Sequence, residues 1–425
     1  MIVTVVSFFG LILIGAPIVF ALGLSAALTL HLDGVPMSIV AQRIYAGLDS
    51  FTIMAIPFFV FAGIIMERGG IAQRIIDFAA ALVGWITGSL LLVSVVAGTG
   101  LAAISGSGSA DTAATSSIML PEMRRRGYDI DFAAGIMAAA GTLGPVIPPS
   151  IMMVVLATIS NLSVGGMFLG GVVPGLIMAL GLMLASYLHA RRGGDVYRED
   201  DPFTFARLAR TFVAAGPAFL MPVIIVGGIV GGVFTPTEAA AVAVFTGLLI
   251  AMLVYREIGL ADLPEMILKA AKVSAAVMMI IATASIFSWL IASQNVPALV
   301  AEKLRAVSDS PWMFLLMVNL LLILIGMFME SISAILILVP VLMPIARDFG
   351  IDPLHFGVVI IVNLSIGMIT PPYGITLFVA SSIAERSIIQ VSRKIMLPLS
   401  IMLATLLAVT YVPSLVTYLP ELLLD

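Results

Sequence analysis

Uninterrupted apolar runs recur along almost the whole 425-residue chain and limit what it can fold into. A helix of about 20 such residues crosses the hydrocarbon core of a bilayer, which is roughly 30 Å thick. Only 10% of the residues are charged and 61% are hydrophobic, whereas a soluble domain carries about 25% charged residues. A large soluble helical protein would have to bury every run in one core, so this alternative is disfavoured. The sequence therefore predicts an all-α polytopic membrane protein.

The apolar runs divide into crossings, hairpins and surface arms. Two stretches, 84–122 and 312–345, are interrupted by polar or Pro-containing sequence, and each predicts a re-entrant helical hairpin. Residues 67–83 and 296–308 are amphipathic and predict arms along the membrane surface. Pro17 leaves open whether the first apolar run is one crossing or is broken. Membrane crossings are predicted at 3–31, 51–66, 132–158, 167–189, 212–233, 236–254, 270–292, 354–383 and 395–417.

Glycine, proline and aspartate residues recur at a constant spacing of 223 positions. Six matches in one register, without a gap, predict an internal repeat. The first copy covers 1–189 and the second 236–425, and a polar loop and linker helix at 190–235 join them. Each copy has one hairpin and one broken helix, at 132–158 and 354–383. The matched pairs are Pro121 and Pro344, Gly127 and Gly350, Asp129 and Asp352, Gly144 and Gly367, Pro148 and Pro371, and Pro149 and Pro372.

Positive charge predicts how the two copies are oriented. The linker after the first hairpin, 123–131, contains three arginines, whereas the corresponding 345–352 contains one Arg and two Asp. By the positive-inside rule the first linker lies inside and the second can lie outside, so the copies are predicted to be inverted. Inverted repeats are typical of secondary transporters that bind substrate between broken helices. The clusters placed inside are Arg124, Arg125 and Arg126; Arg191, Arg192, Arg198, Arg207 and Arg210; and Arg386, Arg393 and Lys394.

The first candidate site is the tip of the first hairpin, AISGSGSADTAATSS at 103–117. Its Gly and Ser residues permit a non-helical turn, which is tolerated inside a membrane where it is buried in protein or lines a cavity. Backbone carbonyls and hydroxyls there are hard oxygen ligands that suit Na⁺. Asp111 is predicted either to add charge or to cap the second hairpin helix. The hydroxyls are those of Ser105, Ser107, Ser109 and Thr112.

The partner of this tip is GTLGPVIPPS at 141–150. A Gly-Pro and a Pro-Pro within six residues break a membrane helix, because proline donates no backbone hydrogen bond. The first half-helix then ends in free carbonyls that suit a cation. The second begins with free N–H groups that suit a carboxylate.

The second copy carries corresponding elements, GMFMESISA at 326–334 and NLSIGMITPPYG at 363–374. An acidic residue in an apolar stretch is a functional candidate. Glu330 is predicted to hold a cation, take a proton or contact substrate, and the sequence leaves these three open. The other polar residues are Ser331, Ser333, Asn363, Ser365 and Thr370.

Other features of the chain have simpler interpretations. Thr235-Pro236-Thr237-Glu238 has the spacing of a capping box, which is favoured over a site role for Glu238. The chain has no Cys and no hydrolase, zinc-protease or phosphate-loop motif, and it has no long basic tract. We therefore expect neither an enzyme, nor a transition-metal site, nor a nucleic-acid-binding protein.

The chain resembles the large membrane subunit of tripartite ATP-independent periplasmic (TRAP) transporters along essentially its whole length. The resemblance implies an elevator mechanism, Na⁺ as coupling ion, no cofactor, and location in the inner membrane of a bacterium. It also implies two partners, a separate small four-helix membrane subunit and a soluble periplasmic binding protein that delivers an organic acid such as a dicarboxylate or sialic acid. Glu330 stands where members often have Asp. The matching segments are SGSGSADTAATSSIMLPEMRRRGYD, GTLGPVIPPS, IPFFVFAGIIMERGGIAQRI, GVFTPTEAAA and NLSIGMITPPYGITLFVA.

Together these features predict Na⁺-coupled uptake of an organic acid, and the alternative is a stand-alone ion-coupled carboxylate transporter. The predicted Na⁺ ligands, which combine the hydroxyls with positions implied by the resemblance, are Ser105, Ser107, Ser109, Gly141, Gly144, Gly326, Gly367 and Thr370. The predicted substrate contacts are Asp111, Thr112, Pro148, Ser150, Glu330, Ser331, Asn363, Pro371 and Pro372.

Overall fold

The computed structural model describes residues 2–198 and 202–424, which form helices and no strand. The helices of the first half are α1 Ile2–Leu13, α2 Ile18–Leu32, α3 Ser38–Leu48, α4 Ala55–Arg68, α5 Ile71–Val83, α6 Ser89–Ser105, α7 Gly108–Arg125, α8 Ile130–Gly141, α9 Ile151–Ser160 and α10 Val164–Arg192. Those of the second half are α11 Phe205–Val230, α12 Pro236–Leu249, α13 Leu263–Ser293, α14 Val296–Val307, α15 Pro311–Gly326, α16 Ser331–Asp348, α17 Pro353–Gly367, α18 Ile375–Ala384, α19 Ile388–Lys394, α20 Met396–Tyr411 and α21 Ser414–Leu424. The prediction of an all-α fold is confirmed.

Several helices have the length and composition of membrane crossings. Within the described residues, five helical segments qualify singly: Val164–Arg192, Phe205–Val230, Pro236–Val254, Leu260–Ser293 and Ser331–Asp348. Three further pairs qualify together but are bent, α4 with α5 by 66°, α14 with α15 by 115°, and α19 with α20 by 62°. The chain is a multi-pass membrane protein.

Two helix pairs turn back at short non-helical tips, and two others are interrupted. Residues 106–107 join α6 to α7 (tip 1), and residues 327–330 join α15 to α16 (tip 2). Residues 142–150 separate α8 from α9 (break 1), and residues 368–374 separate α17 from α18 (break 2). The fold therefore contains the hairpins and broken helices that its interrupted apolar runs predict.

The helix boundaries follow the same spacing of 223 as the matched residues. Gly108–Arg125 and Ser331–Asp348 begin and end at corresponding positions. The first helices of the broken pairs begin at Ile130 and Pro353, which also correspond. The two halves of the chain therefore use the same order of elements around their tips and breaks.

α10 shows how the two broken helices are directed. His189, near its C-terminus, stacks on Phe132 at the start of α8, with ring centroids 3.6 Å apart. Gly166, near its N-terminus, packs so closely on Leu354 at the start of α17 that a Cβ would lie 2.6 Å from Leu354 Cδ1. The 29 residues of α10 extend about 43 Å at 1.5 Å per residue. The starts of α8 and α17 therefore lie at opposite ends of the molecule.

Two arginines make reciprocal contacts between the halves. Arg124 Nη2 donates to the carbonyl of Ala384 at the end of α18, at 2.6 Å. Arg347, at the corresponding position of the second half, donates to the carbonyl of Ser160 at the end of α9, at 3.2 Å. Each cation thus occupies a helix C-terminus of the other half, where free carbonyls and the helix dipole favour positive charge.

Polar contacts bring the three predicted basic clusters to one end of the molecule. Lys394 Nζ donates to Asp129 at 2.9 Å, and Arg386 pairs with Asp131 at 3.1 Å. The backbone N–H of Asp129 donates to the hydroxyl of Tyr197, just beyond the end of α10, at 3.1 Å. Burial is the largest single influence on the pKa of Asp129 and opposes its ionisation. The hydrogen bonds from Lys394 and from a backbone N–H at the start of α8, together with the nearby positive charge, outweigh burial, so the pKa of Asp129 lies below its usual value. This end has the concentration of charge expected of the cytoplasmic face.

The predicted crossing at 395–417 is divided in two, and so is the run 3–31, for which the sequence leaves a break open. The run 3–31 breaks at Gly15, whose φ is +85°, and the hydroxyls of Thr4 and Thr29 meet at 2.9 Å across the resulting antiparallel pair α1 and α2. The run 395–417 is divided at Pro413, between α20 and α21. A proline, at Pro17 or Pro413, lacks the N–H that would continue the first helix.

The capping interpretation of Glu238 is confirmed. Thr235 Oγ1 accepts a hydrogen bond from the backbone N–H of Glu238 at 3.3 Å, and Glu238 Oε2 accepts one from the backbone N–H of Thr235 at 2.8 Å. Pro236 occupies the first helical position of α12. The acidic group of this motif stabilises a helix start.

We predict that Thr235→Ala lowers the thermal midpoint of the detergent-purified protein, because a lost N-cap costs about 1 kcal/mol. The control is Ser400→Ala, which removes an exposed hydroxyl that bonds Leu397 within its own helix. Equal midpoints for the two variants would contradict a stabilising role for the cap.

Candidate functional site

Tip 1 packs directly against break 1. A Cβ added to Gly106, whose φ is +62°, would lie 2.6 Å from the carbonyl oxygen of Pro149. A Cβ added to Gly141 would lie only 1.8 Å from Thr112 Oγ1 and 2.7 Å from the carbonyl oxygen of Gly108. These glycines are required because backbone meets backbone at the contact. The structure therefore brings together the two segments that the sequence predicts to form the first ion site.

Asp111 lies at the centre of this contact. Its Oδ1 accepts a 2.5 Å hydrogen bond from the hydroxyl of Ser105, which also accepts from the backbone N–H of Ser107 at 3.1 Å. Its Oδ2 is buried and has no hydrogen-bond partner, and a Cβ on Gly144 would lie 2.9 Å from it. The hydrogen bond that the Asp111 carboxylate accepts comes from Ser105 and not from the backbone N–H groups that begin α7, so of its two predicted roles the geometry favours added charge.

A buried carboxylate oxygen without a partner is costly unless a cation or a proton reaches it. The surrounding groups are oxygens of the kind that alkali cations prefer. Besides Asp111 they include the hydroxyl of Ser105 and the carbonyl of Gly141, which lies 3.0 Å from the position of a Cβ on Gly108. The donor set therefore fits Na⁺.

A cavity of about 420 Å³ opens beside tip 1. Glu67 on α4 and Lys269 on α13 face it and form an ion pair at 2.9 Å. Ile151, at the start of α9, also lines it, so the N-terminus of a half-helix borders the cavity. Ser150 caps that helix by accepting from the backbone N–H of Met153 at 3.3 Å. The polar hairpin residues in and beside tip 1 that line the cavity are Ser105, Ser107, Ser109 and Asp111.

Sequence reasoning missed Glu67 and Lys269. Glu67 stands at the edge of the segment assigned to a surface arm, and Lys269 directly precedes a predicted crossing at 270–292. Each is a charged residue within one helical turn of an apolar run. That pattern is equally typical of a side chain that anchors a helix at the membrane surface. Only the packing of α4 against α13 and tip 1 distinguishes these positions.

The second pair meets in the same way. A Cβ on Gly326 would lie 3.2 Å from the Cα of Gly367, and a Cβ on Gly367 would lie 3.0 Å from the carbonyl oxygen of Gly326. The hydroxyl of Thr370 donates to the carbonyl of Ile366 at 2.7 Å. The ends of α15 and α17 thus meet backbone to backbone, and the hydroxyl of Thr370 lies three residues beyond that contact.

Glu330 occupies the position that corresponds to Ser107 in the first half. It is the N-cap of α16, where its Oε2 accepts from the backbone N–H of Ser333 at 2.9 Å. The hydroxyl of Ser331 is buried and has no partner within the described residues. The acidic residues of the two hairpins therefore do not correspond. Asp111 lies within the first turn of α7, whereas Glu330 directly precedes α16. Whether Glu330 contacts substrate stays a prediction.

Other predicted substrate residues lie in varied surroundings. Asn363 is fully buried between helices and donates to Asn319 Oδ1 at 2.8 Å, and Asn319 donates to Thr410 at 3.0 Å. Thr112 is fully buried and donates to the carbonyl of Gly108 at 2.7 Å. The prolines lie in the breaks, where Pro148 is buried, Pro371 half-buried and Pro372 exposed. Contact of each with substrate also stays a prediction.

The chain matches the family model described as tripartite ATP-independent periplasmic transporter, DctM component, over residues 5–415. It is 42% identical over 408 residues to the isethionate TRAP transporter permease protein DctMQ of Oleidesulfovibrio alaskensis, covering 95% of this chain and 64% of that protein's length. It is 41% identical over 438 residues to the C4-dicarboxylate TRAP transporter large permease protein DctM of Vibrio cholerae, covering 98% of this chain and 96% of that protein.

The fold is similar to the crystal structure of the YdaH transporter from Alcanivorax borkumensis. The TM-score is 0.58, with 14% identity over 84% of this chain and 86% of that one. The family match covers almost the whole described fold, including both tips and both breaks. The chain therefore belongs to the DctM family, the large permease component of tripartite ATP-independent periplasmic transporters.

Proposed function

We propose that this chain drives Na⁺-coupled uptake of an organic acid across the bacterial inner membrane. A periplasmic binding protein delivers the substrate, and a small four-helix membrane subunit completes the complex. One observation carries the proposal, namely the buried, unpartnered Oδ2 of Asp111 between tip 1 and break 1. A cation at that oxygen neutralises the buried charge and stabilises the contact between hairpin and broken helix. No cofactor takes part.

The ion sites follow from the oxygens on either side of each contact. At the first, Asp111, Ser105 and the carbonyl of Gly141 would hold Na⁺. At the second, the carbonyl of Gly326 and the hydroxyl of Thr370 would do so. Binding at either site favours the state in which tip and break are together, and this state shapes the neighbouring substrate cavity.

The substrate is an organic anion. The cavity beside tip 1 borders the start of α9, where free N–H groups and the helix dipole favour a negative group. The two relatives above are named for isethionate and C4-dicarboxylates, which are both anions. Because a cation binds within a few ångströms of this cavity, the affinity for the anion rises when Na⁺ is present.

The movement is of the elevator type, in which the hairpins and broken helices move together past a scaffold. The reciprocal contacts of Arg124 and Arg347 join the hairpins and broken helices of both halves into one body. The opposite directions of α8 and α17 support inverted repeats, which let one chain adopt related inward-facing and outward-facing states. We assign α4, α11, α12 and α13 to the scaffold, because these helices pack on one another.

The alternative is a stand-alone ion-coupled carboxylate transporter, and reconstituted uptake separates the two. We predict that proteoliposomes containing the membrane complex take up succinate, isethionate or N-acetylneuraminate only with the cognate binding protein and an inward Na⁺ gradient. Replacing Na⁺ with K⁺ is the control. Uptake without the binding protein would establish the alternative, and Na⁺-independent uptake would refute the coupling.

We predict that Ser105→Ala and Thr370→Ala each raise the Na⁺ concentration for half-maximal uptake about 10-fold, the effect of roughly 1.4 kcal/mol per lost oxygen contact. The measurement is initial uptake rate against Na⁺ concentration. Ser117→Ala, which removes an exposed hydroxyl farther along α7, is the matched control. Wild-type Na⁺ dependence in both site variants would place the ions elsewhere.

We predict that NaCl raises the thermal midpoint of the purified protein above that in equal KCl, and that Gly141→Ala abolishes this difference. The added Cβ would lie 1.8 Å from Thr112 Oγ1 and force tip 1 away from break 1. Gly227→Ala is the control, since its Cβ would meet nothing within 4 Å and alanine favours the helix by about 1 kcal/mol. A Na⁺ response that survives in Gly141→Ala would contradict the first ion site.

A further inference from the structure

The cavity beside tip 1 has two walls of different character. Hydroxyls and Asp111 from the hairpin lie on one side, and the Glu67–Lys269 ion pair lies on the other among apolar residues of α4 and α13. The pair also lines a neighbouring cavity of about 200 Å³ with Arg68 and Glu265, so it separates the two spaces. An ion pair in this position controls the charge that a ligand meets.

Lys269 is the basic residue among the described residues that line the larger cavity. Arg68, one residue after Glu67, points its charge elsewhere, since it pairs with Asp262 at 3.0 Å and with Glu265 at 2.9 Å. Glu67 and Asp111 both line this cavity, so their negative charges repel each other. An anion that enters this cavity therefore meets two carboxylates and one ammonium group.

Lys269 can leave Glu67 for another negatively charged partner at little cost. Both side chains are about half exposed, at 49% and 55%, and exposed ion pairs contribute little to stability. The flexible stem of Lys269 allows its ammonium group to turn from one carboxylate to another without moving the helix. A carboxylate or sulfonate in the cavity then replaces Glu67 as its partner.

We propose that Lys269 binds the anionic group of the substrate and that Glu67 is its partner when the cavity is empty. This inference rests on the proposed function, and it assigns the substrate contact that α13 contributes opposite tip 1. Glu67 competes with the substrate for one cation, so the cavity rejects neutral molecules and weakly binding anions. Lys269 and Glu67 therefore act in opposite directions on affinity, although they form one ion pair.

The test is the thermal midpoint of the purified protein, with any membrane subunit that co-purifies, in NaCl against succinate, isethionate and N-acetylneuraminate. In the wild type at least one anion should raise the midpoint. In Lys269→Gln the concentration for half the effect should rise about 10-fold or more, because the anion loses its charged partner. In Glu67→Gln it should fall about 3-fold, because the internal competitor is gone.

Lys272→Gln is the matched control, since Lys272 is exposed on the same helix and does not line the cavity. It should leave the anion response unchanged. The Na⁺-dependent midpoint shift shows that each variant is folded. If Lys269→Gln shows no Na⁺-dependent shift, the test relies on Glu67→Gln. Tighter anion binding by Glu67→Gln supports the proposal, and unchanged or weaker binding overturns it.

The possible outcomes distinguish failure of the Lys269 assignment from failure of the proposed function. A wild type that responds to Na⁺ and anion, with a Lys269→Gln variant that responds equally well, overturns the role of Lys269 and leaves the proposed function intact. Equal losses of thermal midpoint in Lys269→Gln and Glu67→Gln, with normal anion responses in both, would make the pair purely structural. A wild type without any Na⁺ or anion response overturns the proposed function itself.

Discussion

A membrane interior offers no water to satisfy backbone groups, and the fold depends on how this constraint is met where helices stop. Tips 1 and 2 and breaks 1 and 2 interrupt hydrogen bonding at positions flanked by apolar helices. The protein places each tip against a break, so that the free groups face each other instead of lipid. Glycine makes this possible, since Gly106, Gly141 and Gly326 lie where a Cβ would strike neighbouring backbone or a buried hydroxyl.

The same constraint concentrates polar chemistry in a few places. Oxygen atoms that cannot find N–H partners within a helix become available to a cation, and the N–H groups that begin the next half-helix become available to an anion. Asp111 adds charge to the first of these places, while its hydrogen bond to Ser105 holds it beside the cavity. The proposed ion and substrate sites thus lie where regular structure ends.

Sequence alone predicts much of this arrangement, because apolar run length, proline and glycine act locally. The hairpins, the broken helices and the capping role of Glu238 all follow from such local signals. The division of 3–31 does not, because Pro17 signals a possible break without showing that α1 and α2 fold back to join Thr4 to Thr29. The sequence likewise does not show that Glu67 and Lys269 line one cavity. They are 202 positions apart and meet only because α4 packs on α13.

The displacement of the carboxylate between the two tips makes similar halves energetically unequal. Without a cation, the first half keeps a buried oxygen of Asp111 with no partner, whereas Glu330 in the second half keeps its bond to the start of α16. If Na⁺ binds as we propose, emptying the first site is therefore the costlier event, although the two halves share the same order of elements. In the proposed cycle, this single difference in side-chain position gives ion loading and release a preferred order that a matching order of helices alone does not provide.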